Sequence, residues 1–145
     1  MDSSQHRLHG SCVARDGDAI LLVGPPGAGK SDLALRLLSC GFELVADDQV
    51  DIKDGIASCP KDLAGLLEAR GLGIVRLPYR PQARLALIVE LDRRADRLPL
   101  PAQHPELRLP VVCIDATAAS AAAKIALALD CALGRVSQVA GAFAP

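Results

Sequence analysis

The chain has no tryptophan, one tyrosine and two phenylalanines, so aromatics make up 2% of its 145 residues. That scarcity argues against a surface that stacks bases or sugar rings. Neither sign of charge dominates, with 16 Lys+Arg against 17 Asp+Glu and a formal net charge of -1. A general pull toward nucleic acid or an anionic membrane is therefore missing, and any anion must be bound locally. No apolar run approaches the roughly 20 residues that span a bilayer, and residues 1–8 are polar rather than a signal peptide. A soluble, cytoplasmic protein is expected, with no nucleic-acid or membrane partner. The five cysteines, Cys12, Cys40, Cys59, Cys113 and Cys131, form no C-x-x-C pair and read as small buried hydrophobes rather than a zinc or redox site.

What the chain does have is 50% hydrophobic residues, mostly Ala, Leu, Val and Ile, enough for one full core. No repeat and no linker divides it. The expected organisation is a flexible segment 1–7, a single domain over 8–133 and a loosely held tail 134–145.

Apolar stretches 8–15 and 19–23 flank Asp16-Gly17-Asp18, a strong hairpin signal. With Asp16-Gly17 as the turn, the register carried outward sets His9 opposite Gly24. A glycine- and proline-rich loop follows Val23. Leu33, Ala34, Leu37 and Leu38 then have helical spacing, Asp32 and Arg36 form an i,i+4 pair, and Cys40-Gly41 ends the helix. Residues 43–53 read as strand around Val45-Ala46-Asp47-Asp48, with a turn at Asp54-Gly55 before Ile56. Further buried strands are expected over 84–91 and 109–114, separated by a polar stretch 92–108. Residues 118–133 read as an Ala/Leu helix with Lys124 and Asp130 its only charges, buried in the domain or at a subunit contact.

Gly24-Pro25-Pro26-Gly27-Ala28-Gly29-Lys30-Ser31 fits G-x-x-x-x-G-K-[ST], and it lies between an apolar strand and a helix, where its mechanism requires it. The glycines let backbone N–H groups turn inward around a phosphate, and the helix N-terminus adds its dipole. Lys30 neutralises the outer phosphates, and the Ser31 hydroxyl can meet Mg²⁺. The loop alone does not separate kinases from switches and motors. The hairpin delivers the His9 imidazole to its mouth, whereas His6 and His104 sit in polar flanks. Asp47 and Asp48 place two carboxylates on opposite faces at a strand end, one able to meet Mg²⁺ or its water and the other a hydroxyl.

Four segments together resemble the catalytic domain of HPr kinase/phosphorylase, the bacterial enzyme acting on a serine of the phosphocarrier HPr. They are Leu8-His9-Gly10, the phosphate loop, Leu44-Val45-Ala46-Asp47-Asp48 and Glu68-Ala69-Arg70-Gly71-Leu72-Gly73-Ile74, the last similar to the family signature E-[IA]-R-G-L-G-I. Asp96-Arg97-Leu98 is a weaker echo of a D-R-L-G element. The resemblance implies an α/β P-loop core of the HPr kinase and phosphoenolpyruvate carboxykinase-like type, β-rich, with an antiparallel N-terminal hairpin. It implies Mg²⁺, ATP as donor, an HPr-like phosphocarrier as substrate and a homo-oligomer, in regulation of carbohydrate metabolism through the phosphotransferase system. By matching position, Asp48 becomes the proton acceptor for the serine, His9 and Asp47 its supporting neighbours, and Lys30 the phosphate clamp. Ser31 and Glu68 would hold Mg²⁺, and Arg97 would bring positive charge from a mobile loop.

The chain also departs from the family. It reads as a short form without the N-terminal regulatory domain. Where the family carries R-P-G-R-N, tied to the reverse phosphorylase reaction, residues 111–117 hold neither arginine nor glycine, so that reaction is expected to be weakened or lost. Pro99 follows Arg97-Leu98 where the family has glycine, stiffening that loop. The expected function is Mg²⁺- and ATP-dependent phosphorylation of a serine on an HPr-like protein. The alternatives are a nucleotide-sensing module without turnover, or a small-molecule P-loop kinase.

Overall fold

The turn expected at Asp16-Gly17 is present in the computed structural model of the chain, which describes residues 5–92, 94 and 96–145. Both turn residues have positive φ, 54° and 84°, as a two-residue hairpin requires. The turn joins β2 (Ser11–Arg15) to β3 (Asp18–Val23) in the expected register, from Ser11 opposite Leu22 to Arg15 opposite Asp18.

The ribbon does not continue to His9. The chain leaves it at Gly10, and β1 (Gln5–His9) pairs antiparallel with β5 (Gln49–Lys53), setting His9 opposite Gln49 rather than Gly24. Gly10 permits this departure. A Cβ there would lie 2.7 Å from the Leu22 carbonyl oxygen and 3.1 Å from Leu21 Cδ1, so only glycine lets the backbone press on β3 while turning away. The segment expected to be flexible therefore supplies Gln5, His6 and Arg7 to a strand. Arg7 Nε meets Asp51 Oδ1 at 2.6 Å across the β1–β5 pair. Residues 1–4 of that segment, and residues 93 and 95 of the charged run, lie outside the described residues.

The main sheet has the order β1-β5-β6-β9-β3-β2-β4 with β10 added beside β9, where β4 is Glu43–Ala46, β6 Ile56–Ser58, β9 Gln82–Leu91 and β10 Val111–Ile114. Long β9 pairs with β6 through its first residues and with β10 through its last, and β3, β9 and β10 run parallel. Because β4 and β3 are each antiparallel to β2, the carboxyl ends of β4, β3, β9 and β10 share one sheet edge with the first residue of β2. A crevice at the carboxyl ends of strands is where open α/β sheets bind ligands.

Alternation along the strands splits the core between the two faces. Val13, Ile20, Leu22, Leu87 and Val89 join one cluster with the helices, whereas Cys12, Ala14, Ala19, Leu21 and Leu85 join a second with Val50, Ile52 and Ala57. Leu85 and Leu87 fall in different clusters because the β3–β9 register shifts between Ala19 and Ile20, a bulge that changes the phase of alternation.

Helix α1 (Lys30–Leu38) buries Leu33, Ala34 and Leu37 against the first cluster. Burial of Leu33 and Leu37, at about 1.5–3 kcal/mol per side chain, outweighs the Asp32–Arg36 pair, which at an exposed helix surface is worth about 0.3–0.5 kcal/mol. That pair is present, with Arg36 Nε 3.2 Å from Asp32 Oδ2. Gly41 ends the helix at φ 90°, as the sequence predicts. Helix α2 (Ala121–Ala132) buries Ala121, Ile125, Ala128 and Leu129. Arg15 ties β2 to it through Asp130 Oδ1 at 2.6 Å.

A separate two-stranded hairpin, β7 (Leu66–Ala69) with β8 (Gly73–Arg76), buries Leu67 and leaves Leu72 and Ile74 exposed. Past Gly134, Ala142 and Phe143 pack on the first cluster, so that part of the tail is held rather than loose. Of the cysteines expected to be buried, only Cys12 is fully so; Cys40 is exposed and the other three are partly covered. Cys40 lies in the turn after α1, outside the core-facing pattern.

Candidate functional site

Gly29 opens α1 as its N-cap in the left-handed conformation, φ 97°, a geometry that favours glycine. It turns the preceding loop over the helix N-terminus. Lys30 Nζ donates to the carbonyl oxygens of Gly24 (2.8 Å) and Pro25 (3.1 Å), which holds the ammonium at the loop's mouth. Ser31 faces the carboxylate at the end of β4.

That carboxylate belongs to Asp47, 5% exposed. Its Oδ1 accepts from the Ser11 hydroxyl at 2.6 Å and from the Ser31 hydroxyl at 2.8 Å, and its Oδ2 accepts from the Glu68 backbone N–H at 3.2 Å. Asp47 thereby fastens the start of β2, the phosphate loop and the β7–β8 hairpin to one point. A buried charge is tolerable when donors surround it in this way.

Asp48 does the opposite. It has φ 71°, a left-handed conformation that aspartate tolerates better than most residues, and it is exposed. It lines a cavity of about 300 Å³ together with Ser11, Lys30, Ser31, Glu68 and Arg70. The two carboxylates are placed oppositely, as expected, but beyond the end of β4 the cause is the left-handed bend at Asp48 rather than strand alternation.

Mg²⁺ is a hard cation that prefers oxygen donors, usually takes one or two carboxylates and completes its shell with phosphate oxygens and water. The Ser31 hydroxyl and the carboxylates of Asp47 and Glu68 are such donors. Among the described residues no group of three His, Cys, Asp or Glu side chains forms a metal cage, so the set fits a cation shared with a phosphate rather than a self-contained metal site. With Asp32, Asp48 and Glu68 on the cavity wall against Lys30 and Arg70, a bound polyanion would need such a cation for charge balance.

Two sequence-predicted residues are placed differently. The backbone N–H of Gly10 donates to the Asp48 carbonyl at 3.1 Å, so β1 ends beside the carboxylate pair, but His9 is exposed and is not part of the cavity wall. Its register with Gln49, set by the bend at Gly10, is the reason. Arg97 is exposed and lines a separate cavity of about 550 Å³ formed with β10, α2 and residues 138–143. Arg94, three residues earlier, instead stands beside Pro25, Gly27 and Ala28.

Ser11 and Arg70 are the cavity residues to which the sequence reading gave no role. A hydroxyl at the head of an otherwise apolar strand was the only signal for Ser11. Arg70 lay within the recognised motif. A further contact, Arg36 Nη2 to the Ala116 carbonyl at 2.6 Å, holds the turn after β10 beside the loop and had no signal in the pattern.

Residues 2–99 match the family described as the HPr Serine kinase C-terminal domain. An HPr kinase/phosphorylase from Burkholderia lata is 42% identical over 121 residues, covering 72% of this chain and 38% of that protein. One from Clostridium tetani is 50% identical over 76 residues, covering 50% of this chain and 25% of that protein. The chain thus spans well under half the length of these relatives. A solved structure, the Hpr(Ser) kinase/phosphatase from Coxiella burnetii, superposes with a TM-score of 0.73 at 24% identity, covering 86% of this chain and 87% of that one. That likeness is one of fold: the β-rich α/β architecture is shared.

Proposed function

The chain belongs to the HPr serine kinase C-terminal domain family, and from that membership and the site's geometry we propose that it is an Mg²⁺- and ATP-dependent kinase acting on a serine of an HPr-like phosphocarrier protein. One observation carries the reading. Lys30, Ser31, Asp48, Glu68 and Arg70, drawn from three distant segments, line a single cavity.

Phosphoryl transfer asks the protein for position and charge stabilisation more than for covalent chemistry. The loop 24–31 offers backbone N–H groups and a helix N-terminus to the phosphates, and Lys30 and Arg70 meet the charge of the transferring group. As the serine oxygen bonds to the terminal phosphorus and the bond to the leaving ADP breaks, the exposed Asp48 carboxylate takes the hydroxyl proton. Asp47 keeps Ser31 oriented, and the Gly10 N–H at the end of β1 holds the Asp48 carbonyl, while His9 stays outside the cavity wall. Ser31 and Glu68 would hold Mg²⁺, which when bound neutralises charge on the outer phosphates. Arg97 has no part in this arrangement. Residues 115–117 carry an aspartate and no arginine beside the loop, which supports a weakened phosphate-dependent reversal.

Incubation with terminally labelled ATP, Mg²⁺ and a purified HPr-like protein should place label on one serine, and Lys30→Ala should abolish it. Nucleotide binding without transfer to any phosphocarrier would favour a sensor instead. Turnover confined to small metabolites would refute the protein-kinase reading.

A further inference from the structure

Ser11 heads β2, and the ladder explains what it faces. Cys12 stands opposite Ala46 in the antiparallel β2–β4 pair, so the register carried one and two steps outward sets Ser11 opposite Asp47 and Gly10 opposite Asp48. Both placements carry a bond. The Ser11 hydroxyl donates to Asp47 Oδ1 at 2.6 Å, and the Gly10 N–H donates to the Asp48 carbonyl at 3.1 Å. Two adjacent residues thus hold the two adjacent aspartates, Ser11 by its side chain and Gly10 by its backbone.

The two hydroxyls on Asp47 differ in what carries them. Ser11 is 1% exposed and belongs to a strand paired on both sides, with Leu22 opposite it in β3. Ser31 is only partly buried and sits in the first turn of α1. A hydroxyl has one proton and two lone pairs. With its proton directed at Asp47, 2.8 Å from Oδ1 and 3.0 Å from Oδ2, Ser31 keeps its lone pairs for a cation in the cavity that it lines. That aim is only as firm as the carboxylate. The terminal torsion of aspartate is intrinsically broad, so the donors around Asp47 set the plane of its carboxylate. Of the three, the Glu68 N–H belongs to the β7–β8 hairpin outside the main sheet and stands 3.2 Å away, and Ser31 is the group being aimed. Only Ser11 ties the carboxylate to the main sheet.

We propose that Ser11 is a positioning residue for the cation that accompanies the nucleotide: by fixing the Asp47 carboxylate to the sheet, its buried hydroxyl keeps the Ser31 oxygen directed at Mg²⁺. This role rests on the kinase reading above and adds to it a residue to which neither the phosphate-loop spacing nor the acidic pair points. Ser11 acts through Asp47 rather than as a ligand, because its proton is committed to Oδ1 and, at 1% exposure, it offers the cavity almost no surface. A hydrogen-bond partner standing behind a metal ligand is typically worth about 10–100-fold in metal affinity or activity.

Ser11→Ala removes the donor and leaves a small apolar residue on a buried strand. ATP binding to the parent and the variant is measured by calorimetry in Mg²⁺ and again in EDTA, with circular dichroism melting as the check on folding. The expected result is an affinity for ATP in Mg²⁺ lower than the parent's by about tenfold or more, with the affinity in EDTA within about threefold, so that the Mg²⁺ enhancement of binding shrinks while the nucleotide's own contacts persist. The Mg²⁺ concentration that half-saturates transfer to the phosphocarrier should rise by a similar factor. Equal losses of affinity with and without Mg²⁺ would mark a merely structural role and overturn the assignment, as would an unchanged Mg²⁺ enhancement. Where Ser11→Ala does not fold, Ser11→Cys, of similar shape but a weak donor, reads the same outcomes. An unsubstituted protein whose ATP binding is indifferent to Mg²⁺ would overturn the kinase reading and this one with it; a parent that responds to Mg²⁺ beside a variant that responds equally removes Ser11 alone.

Discussion

Asp47 and Asp48 are adjacent in sequence, yet the structure gives them opposite work, and paired substitutions separate the two. Asp47→Ala removes the acceptor for three donors. The Ser11 hydroxyl, 1% exposed, is left buried without a partner, at a cost of about 1–3 kcal/mol. The loss of charge-assisted bonds from Ser31 and the Glu68 N–H, both nearer water, brings the total to about 3 kcal/mol. At roughly 2–4 °C per kcal/mol for a chain of this size, Tm should fall by about 6–12 °C. Asp48→Asn keeps a residue that tolerates φ 71° and removes only the proton acceptor. Its Tm should stay near that of the parent, while transfer to the phosphocarrier slows by a factor of about 10²–10⁴. Circular dichroism melting and a steady-state transfer assay read the two effects independently. An Asp47→Ala protein that melts with the parent, or an Asp48→Asn protein that retains full turnover, would refute the division of roles.

Gly10→Ala drives a Cβ to 2.7 Å from a backbone oxygen that no rotamer change can move. Overpacking of this kind should cost about 1–3 kcal/mol, read as a lower urea midpoint; an unchanged midpoint would contradict the close approach. Arg70→Ala should slow transfer by at least tenfold, about 1.4 kcal/mol of barrier, while Arg97→Ala, in its separate cavity, leaves the rate within about threefold. A reversed order would restore Arg97 to the site. Burial pushes the Cys12 thiol well above its ordinary range, and only the thiolate reacts. Iodoacetamide at neutral pH should therefore label exposed Cys40 first and Cys12 only on unfolding; early labelling of Cys12 by mass spectrometry would argue against the buried β2 packing.

The elements that were legible in the sequence are those with local causes. Asp16-Gly17 fixed a hairpin register because a two-residue turn leaves no slack, and Asp54-Gly55 did the same for β5 and β6. The phosphate loop is similarly local, its spacing being the mechanism. His9 was misplaced because the register was carried past Gly10, and whether a strand continues or departs depends on a backbone approach to Leu22 that no hairpin rule contains. Arg97 was misplaced for a related reason. A charge run has no periodicity to aim it, and the cavity that Arg97 lines is completed by β10 and α2, far along the chain. Ser11 and the Arg36 clamp on Ala116 and Ala118 depend wholly on tertiary juxtaposition, which strand and helix patterns do not encode.

A crystal structure with Mg²⁺ and a non-hydrolysable ATP analogue addresses the central claim most directly. The outer phosphate should lie in the cradle of residues 24–31 against Lys30, with the Asp48 carboxylate facing it from the β4 end. A nucleotide bound elsewhere, or Asp48 turned away from the terminal phosphate, would contradict the account.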